Sequence, residues 1–262
     1  MFHGKPCWFE LDTARGALDA ARDFYGKVFG WSVADAGMPG MTYLLASHGG
    51  DMVAGMMEIP PEAAGMPPNW MSYLDVDDAD AAATKTASLG GQVLHGPADI
   101  PGTGRFAVLA DPQGAVFGVL QPLPMDPQPP VDSGAWNQQK ESHGNWIELM
   151  STDPDAGFDF YSELFGWTKG TAIPMGEMGS YQLFAWNGSD IGGMMGLGNA
   201  PVPCWLPYFG VNGVEAAMQR VQDAGGSVLH GPMEVPGPAF IAVARDPQGA
   251  HFAIVGPKEV TP

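Results

Sequence analysis

Two stretches of this chain are nearly identical: GGQVLHGPADIPG at residues 90–102 and GGSVLHGPMEVPG at residues 225–237. They belong to a repeat that covers most of the chain. The repeat also pairs WFEL at 8–11 with WIEL at 146–149, FYGKVFGW at 24–31 with FYSELFGW at 160–167, and DPQGA at 111–115 with DPQGA at 246–250. Motifs that recur in the same order at nearly constant spacing indicate two copies of one domain.

The repeat also predicts the domain limits. The first copy is expected at residues 1–122 and the second at residues 144–262, with a linker at 123–143. The segment PLPMDPQPP, at residues 122–130, has the composition of a semi-rigid linker.

Each copy shows a strand, a helix and several strands, and then the same order again. Residues 7–11 predict a short strand, and Thr13 is expected to cap the helix that follows. In the second copy, Asp153 followed by Pro154 predicts a helix start. The DPQG segments suit type I turns between two strands. Each copy therefore contains two βαβββ units, and the predicted fold class is α+β.

Composition and charge exclude several classes of function. Hydrophobic residues make up 45% of the 262 residues and charged residues 15%, which is typical of a protein with a packed core. Eleven basic against 29 acidic residues give a net charge of −18, which disfavours binding to nucleic acid or to an anionic membrane. No signal peptide or membrane span is recognised, so a cytoplasmic location is expected. The oligomeric state is left open.

These motifs resemble the glyoxalase/bleomycin-resistance/extradiol-dioxygenase superfamily, also called the vicinal oxygen chelate fold. The resemblance rests on FYGKVFGW, on GGQVLHGPADIPGTGR and on DPQGAVF, and it covers both copies. The motifs are similar to those of two-domain bacterial glyoxalase-like proteins, a mycobacterial culture-filtrate antigen among them. The resemblance implies two tandem domains, each a pair of βαβββ units that form a cup-shaped mixed sheet. It implies no single activity, because the superfamily contains isomerases, dioxygenases, transferases and non-catalytic drug-binding proteins.

The resemblance also implies where a metal would be bound. In metal-using members, His, Gln or Glu ligands come from the first, fourth, fifth and last strands of the cup. Those positions fall on Trp8 and Trp146, on residues 55–58 and 193–195, near Met71 and Leu206, and on Gly118 and Ala253. Only Glu58 among them carries a donor that a divalent ion prefers. The sequence therefore predicts no metal and no other cofactor, with an atypical divalent metal site as the alternative.

Strand parity identifies polar residues that could still face a cup. Side chains two residues apart share one face of a strand, so Glu10 and Glu148 should point the same way as the tryptophans two residues before them. By the same parity, Tyr208 and His251 are expected to face the second cup. We therefore name Glu148, Tyr208 and His251 as candidate acid–base residues. The alternative is that each has only a structural role.

The expected ligand lining is rich in aromatic and thioether groups. Its candidate members are Trp8, Glu10, Met56, Met71, Tyr73, Trp146, Met194 and Trp205. The same residue types also commonly fill a core, and that interpretation stays open. His95 and His230 precede Gly-Pro in both copies and are expected to be structural.

Three hypotheses about function follow from the sequence. The first is metal-free binding of a small apolar or aromatic molecule in one or both cups. The second is an enzyme, a lyase, isomerase or oxygenase, with an atypical metal site or metal-free acid–base chemistry. The third is a partner-binding protein whose cups are vestigial.

Overall fold

The computed structural model describes residues 2–125, 127 and 134–261 of the chain. The first copy contains β1 (Pro6–Thr13), α1 (Leu18–Phe29), β2 (Ser32–Asp35), β3 (Tyr43–His48), β4 (Asp51–Glu58), β5 (Asn69–Asp75), α2 (Ala79–Ser88), β6 (Gln92–Ile100), β7 (Gly104–Ala110) and β8 (Val116–Pro122). The second contains β9 (Gly144–Ser151), α3 (Pro154–Phe165), β10 (Thr168–Pro174), β11 (Ser180–Trp186), β12 (Ser189–Gly196), β13 (Cys204–Gly210), α4 (Val214–Asp223), β14 (Ser227–Val235), β15 (Ala239–Arg245) and β16 (His251–Gly256).

The strands form one mixed sheet per copy. The strand order is β2-β3-β4-β1-β5-β8-β7-β6 in the first copy and β10-β11-β12-β9-β13-β16-β15-β14 in the second. Within each sheet the first strand pairs in parallel with the fourth, as β1 does with β4. The fifth strand pairs in parallel with the eighth. This order confirms the predicted α+β fold with two βαβββ units in each tandem domain.

The two predicted helix starts had different outcomes. Asp153 caps α3 as predicted, since its Oδ1 accepts a hydrogen bond from the backbone N–H of Ala156 at 3.1 Å. The prediction for Thr13 was wrong, because β1 continues through it and its carbonyl accepts the N–H of Ile59 at 2.9 Å. The helix α1 begins only at Leu18, and no side chain of the described residues caps it.

Backbone proximity divides the described residues into two compact units, and each contains segments of both copies. One unit consists of residues 2–7, 72–125, 127 and 147–206, and the other of residues 8–71, 134–146 and 207–261. The domain limits expected from the repeat stay a prediction.

In the second of these units, the two repeated motifs meet through a buried hydrogen-bond chain. The indole N–H of Trp70 donates to the hydroxyl of Tyr25 at 2.9 Å, and that hydroxyl donates to Asp246 Oδ2 at 3.0 Å. The other oxygen, Asp246 Oδ1, accepts the backbone N–H groups of residues 248, 249 and 250 at 2.8–2.9 Å. The tyrosine of the FYGKVFGW motif thus binds the aspartate of the other copy's DPQG turn.

The first unit repeats this arrangement with the copies exchanged. Trp205 Nε1 donates to the hydroxyl of Tyr161 at 2.9 Å, and Tyr161 donates to Asp111 Oδ2 at 3.1 Å. Burial, followed by the charge of Asp111, holds the pKa of Tyr161 above its usual value, so the phenol remains a donor. Each unit is therefore stabilised by a tyrosine of one copy and an aspartate of the other.

Part of the predicted linker is packed in the structure. Residues 126 and 128–133 lie outside the described residues. Trp136 is 5% exposed, and its ring stacks on Phe9 with centroids 6.4 Å apart. His143 is also buried, and its Nε2 lies 3.2 Å from Asp51 Oδ2.

None of the described helices has the length and apolar character needed to span a membrane.

Candidate functional site

The first candidate site is built on one face of β1. Trp8, Glu10 and Asp12 alternate along the strand and therefore share that face. Glu10 lies opposite Gly55 and Asp12 opposite Met57 in the parallel pairing with β4. We call this surface the Glu10 face: Trp8, Glu10 and Asp12 of β1, Tyr43 of β3, and Gly55 and Met57 of β4.

Three side chains of the Glu10 face form a hydrogen-bond chain. The indole N–H of Trp8 donates to the hydroxyl of Tyr43 at 3.0 Å, and that hydroxyl donates to Glu10 Oε2 at 2.7 Å. Glu10 is 8% exposed. Burial and the charge of Glu10 raise the pKa of Tyr43 above its usual value, so the phenol keeps its proton. The tyrosine therefore holds the carboxylate in one position, and the half-buried indole lies next to it.

Glycine is required beneath Tyr43. A Cβ on Gly55 would overlap the phenol ring and the hydroxyl of Tyr43. The same relation recurs between Gly193 and Tyr181 in the second copy, and between Gly118 and Tyr73. Positions 55 and 118 are two at which the family resemblance places metal ligands, and here each provides space for an aromatic ring.

We expect Gly55→Ala to displace Tyr43 and to destabilise the protein by about 1–3 kcal/mol, the usual effect of overpacking. The backbone at Gly55 has no positive φ, so the effect is steric. Chemical denaturation measures it, with Gly196→Ala as the matched control, because nothing lies within 4 Å of a Cβ there. Equal unfolding free energies for the two variants would show that Tyr43 moves aside freely.

Asp12 is the site residue that the sequence analysis missed. Its side chain is 5% exposed, and burial, with the neighbouring charge of Glu10, raises its pKa from 3.8 to about 7. The predicted strand ended at residue 11, one position too early to include it. Extending the same alternation by one residue would have placed it beside Glu10.

The second candidate site is the corresponding face of the second copy. We call it the Glu148 face: Glu148 and Met150 of β9, Tyr181 of β11, and Gly193 and Met195 of β12. Glu148 lies opposite Gly193 and Met150 opposite Met195. Glu148 is 8% exposed, and its charge adds to burial in raising the pKa of Cys204 to about 11. Met150 occupies the place of Asp12, so the two faces differ by one carboxylate.

Three of the residues named for the ligand lining are buried in the core, which is the interpretation that the sequence left open beside it. Met56 pairs with Leu11 and is fully buried, on the sheet face opposite Glu10. Met194 pairs with Leu149 and is placed in the same way relative to Glu148. Trp205 is 6% exposed and is bonded to Tyr161 within the aromatic core. Adjacent residues of a strand point to opposite faces, which is why these three turn inward.

The remaining predicted residues are distributed over both compact units. Met71 and Tyr73 are buried on β5, and Trp146 is half-buried on β9. Tyr208 lies opposite Ala253 in the pairing of β13 with β16.

The three candidate acid–base residues do not belong to one compact unit. Glu148 belongs to one unit, whereas Tyr208 and His251 belong to the other. His251 is exposed at the surface. Partial desolvation of its ring is the larger cause, and the charge of Arg245 the next, of a pKa below the usual value. The assignment of these three residues to catalysis stays a prediction.

The histidines of the LHGP motifs lie on the strands β6 and β14, and both are exposed. The ring of His95 stacks on Phe106 with centroids 5.4 Å apart. Among the described residues, no three or more His, Cys, Asp or Glu side chains are grouped so as to hold a metal ion.

The fold and the sequence motifs define the class of protein. The chain belongs to the glyoxalase/bleomycin resistance protein/dioxygenase superfamily, whose family model matches residues 11–119 and 144–254. It is 34% identical over 259 residues to CFP32 of Mycobacterium tuberculosis, which is named as a candidate glyoxylase, and the match covers 97% of this chain and 95% of that protein. It is 32% identical over 282 residues to the anthracycline biosynthesis protein DnrV of Streptomyces peucetius, covering 99% of this chain and 95% of the relative.

Solved structures share the fold at much lower sequence identity. The Mn(II)-bound glyoxalase of Novosphingobium aromaticivorans superposes with a TM-score of 0.68 at 15% identity, covering all of this chain and 85% of that one. The 2,3-dioxygenase LapB of Pseudomonas sp. KL28 superposes with a TM-score of 0.66 at 14% identity, covering 100% and 96% of the two chains. Identities this low establish a common fold and leave the activity to be argued from the site.

Proposed function

We propose that this chain binds a small, largely apolar or aromatic molecule without a metal, with Glu10 or Glu148 as the polar anchor. The observation that carries the proposal is the chain from Trp8 through Tyr43 to Glu10. It places an indole, a phenol and an oriented carboxylate on one face of a sheet. Small-molecule sites are commonly apolar and aromatic surfaces with a few fixed polar groups.

The donor set supports binding without a metal. A divalent site needs three or four N, O or S ligands that converge on the ion. At the positions where the resemblance would place the ligands, the first copy carries indole, thioether and glycine groups, and these do not fit such an ion. Glu58 is engaged elsewhere, since its Oε1 accepts the backbone N–H of Gly16 at 2.7 Å, and it points away from the Glu10 face.

The named relatives agree with a small-molecule role. DnrV carries a name from anthracycline biosynthesis, and so does DauV of a Streptomyces strain, which is 31% identical over 282 residues. We propose that this chain acts on a small organic molecule and has no nucleic-acid or membrane partner.

The proposal is tested with two neutral aromatic probes, tryptophol and 2-(1-naphthyl)ethanol. We expect protein purified without chelator to contain far less than one metal per chain by plasma mass spectrometry. We also expect calorimetry to show binding of both probes that excess chelator leaves unchanged. The Trp8→Ala, Trp146→Ala double variant should bind about tenfold more weakly, because each ring contributes buried apolar area.

Met178→Ala is the control for this experiment, since it removes an exposed apolar side chain outside both faces. A stoichiometric divalent metal, or full affinity in the double variant, would refute the proposed site. Absence of any probe binding would favour a partner-binding protein with vestigial cups.

A second candidate function is supported by Asp12. A buried carboxyl group with a pKa of about 7 has the property required of a general acid or base at neutral pH. A metal-free lyase or isomerase that uses Asp12 would convert a bound molecule, whereas a binding protein would return it unchanged. Mass spectrometry of ligands recovered after incubation with wild-type protein and with Asp12→Asn separates the two functions.

A further inference from the structure

One buried carboxylate of the Glu10 face has no partner among the described residues. Asp12 is 5% exposed, and no described residue donates a hydrogen bond to it or forms an ion pair with it. The charge of Glu10, which has the same sign, acts on it. Buried polar groups in folded proteins are almost always hydrogen-bonded, so a group left in this state requires an explanation.

The neighbours of Asp12 indicate what would complete its environment. Glu10 and Asp12 are two residues apart on one strand, so their Cα atoms are about 7 Å apart. The Tyr43 hydroxyl satisfies one oxygen of Glu10, and it brings no donor to Asp12. A group that carries positive charge and several donors would satisfy Asp12 and would also be attracted by the charge of Glu10.

A protonated primary amine has these properties. It presents three N–H donors and one positive charge, and hydrogen bonds between charged partners are the stronger ones. The aromatic rings of Trp8 and Tyr43 share the face and favour a neighbouring cation. A divalent metal ion fits less well, because both carboxylates come from one strand and no third ligand of the described residues joins them.

The second copy supplies an internal comparison. The Glu148 face keeps the glutamate, the tyrosine and the glycine, and it has Met150 in the place of Asp12. The fold therefore does not require a carboxylate at this position. The acidic side chain is specific to the first copy, as a difference in ligand preference would require.

We propose that the Glu10 face binds the protonated amino group of an aromatic amine, and that the Glu148 face takes the aromatic part of a ligand without this preference. The inference rests on the proposed function, because it names the ligand class of the same site. It goes beyond that function in assigning the two copies different specificities.

The experiment compares each neutral probe with the amine of the same skeleton. Tryptamine is matched with tryptophol, and 2-(1-naphthyl)ethylamine with 2-(1-naphthyl)ethanol, by calorimetry at pH 8. Wild-type protein is expected to bind the amines at least about tenfold more tightly, with about one amine-preferring site per chain. Asp12→Asn should reduce that preference to about twofold or less.

Met150→Asp is the reciprocal variant, and we expect it to add a second amine-preferring site. Circular dichroism establishes that each variant is folded. The comparison of amines with alcohols on wild-type protein tests the amine preference without any variant. Alcohols that bind as well as amines would overturn the inference and leave the proposed function standing. An unchanged preference in Asp12→Asn would overturn it as well. No binding of any of the four probes would refute both.

Discussion

Asp246→Ala is expected to destabilise the protein by about 3–5 kcal/mol, because it removes the acceptor for several buried donors at once. Asp246 is 3% exposed and accepts three backbone N–H groups of its turn and the Tyr25 hydroxyl. Alanine removes this partner from all four donors, and the hydroxyl of Tyr25 and the N–H of Ala250 are buried. Asp111→Ala should act in the same way in the other unit, through Tyr161.

Equilibrium unfolding in urea measures the effect, and two variants calibrate it. Tyr25→Phe removes only the hydroxyl, so about 1–2 kcal/mol is expected. Asp159→Ala, at an exposed position on α3, should change the unfolding free energy by less than about 0.5 kcal/mol. If Asp246→Ala behaved like Asp159→Ala, the Tyr–Asp contacts would not stabilise the units.

The repeat explains how far the sequence could predict this contact. Equivalent motifs show which segments adopt the same local structure, and the DPQG turns and the helices α1 and α3 were predicted in that way. The repeat does not show whether Tyr25 binds the aspartate of its own copy or that of the other copy. Both pairings have the same local sequence, so only the three-dimensional structure distinguishes them.

The candidate site was predictable to the extent that strand alternation decides it. Alternation placed Trp8 and Glu10 on one face, as the structure does. It could not show which of the adjacent residues Met56 and Met57 lies on the Glu10 face. One of two neighbours on a strand points into the core, and here both are methionine, so their residue types do not distinguish them. Asp12 was missed because the predicted strand ended at residue 11, whereas β1 continues to Thr13.

Asp12→Asn is expected to stabilise the protein at pH 8 by about 2–4 kcal/mol and to have little effect at pH 4. The folded protein raises the pKa of Asp12 from 3.8 to about 7, so it favours the protonated form. Well below pH 3.8 the group is protonated in both the folded and the unfolded state and has no differential effect. As the pH rises from 4 to 7 the unfolded chain loses this proton first, so wild-type stability falls. Above pH 7 the full penalty of about three pKa units applies.

Urea unfolding between pH 4 and pH 9 measures the difference, and Met150→Asn is the matched control. That variant introduces an amide at the equivalent position of the second copy, where no carboxyl group is replaced. Its effect should therefore be the same at every pH. Parallel pH profiles for wild-type and Asp12→Asn protein would show that Asp12 is not held in the protonated form.

A gain of stability in Asp12→Asn would also bear on function. Residues that reduce stability are often retained where they serve binding or catalysis. The second copy shows that a methionine fits the same place in the same fold. A ligand that satisfies the Asp12 carboxylate would offset the penalty, so an aromatic amine should stabilise wild-type protein at pH 8 more than it stabilises Asp12→Asn. The pH profile and the amine preference would then have one cause, the unpartnered carboxylate beside Glu10.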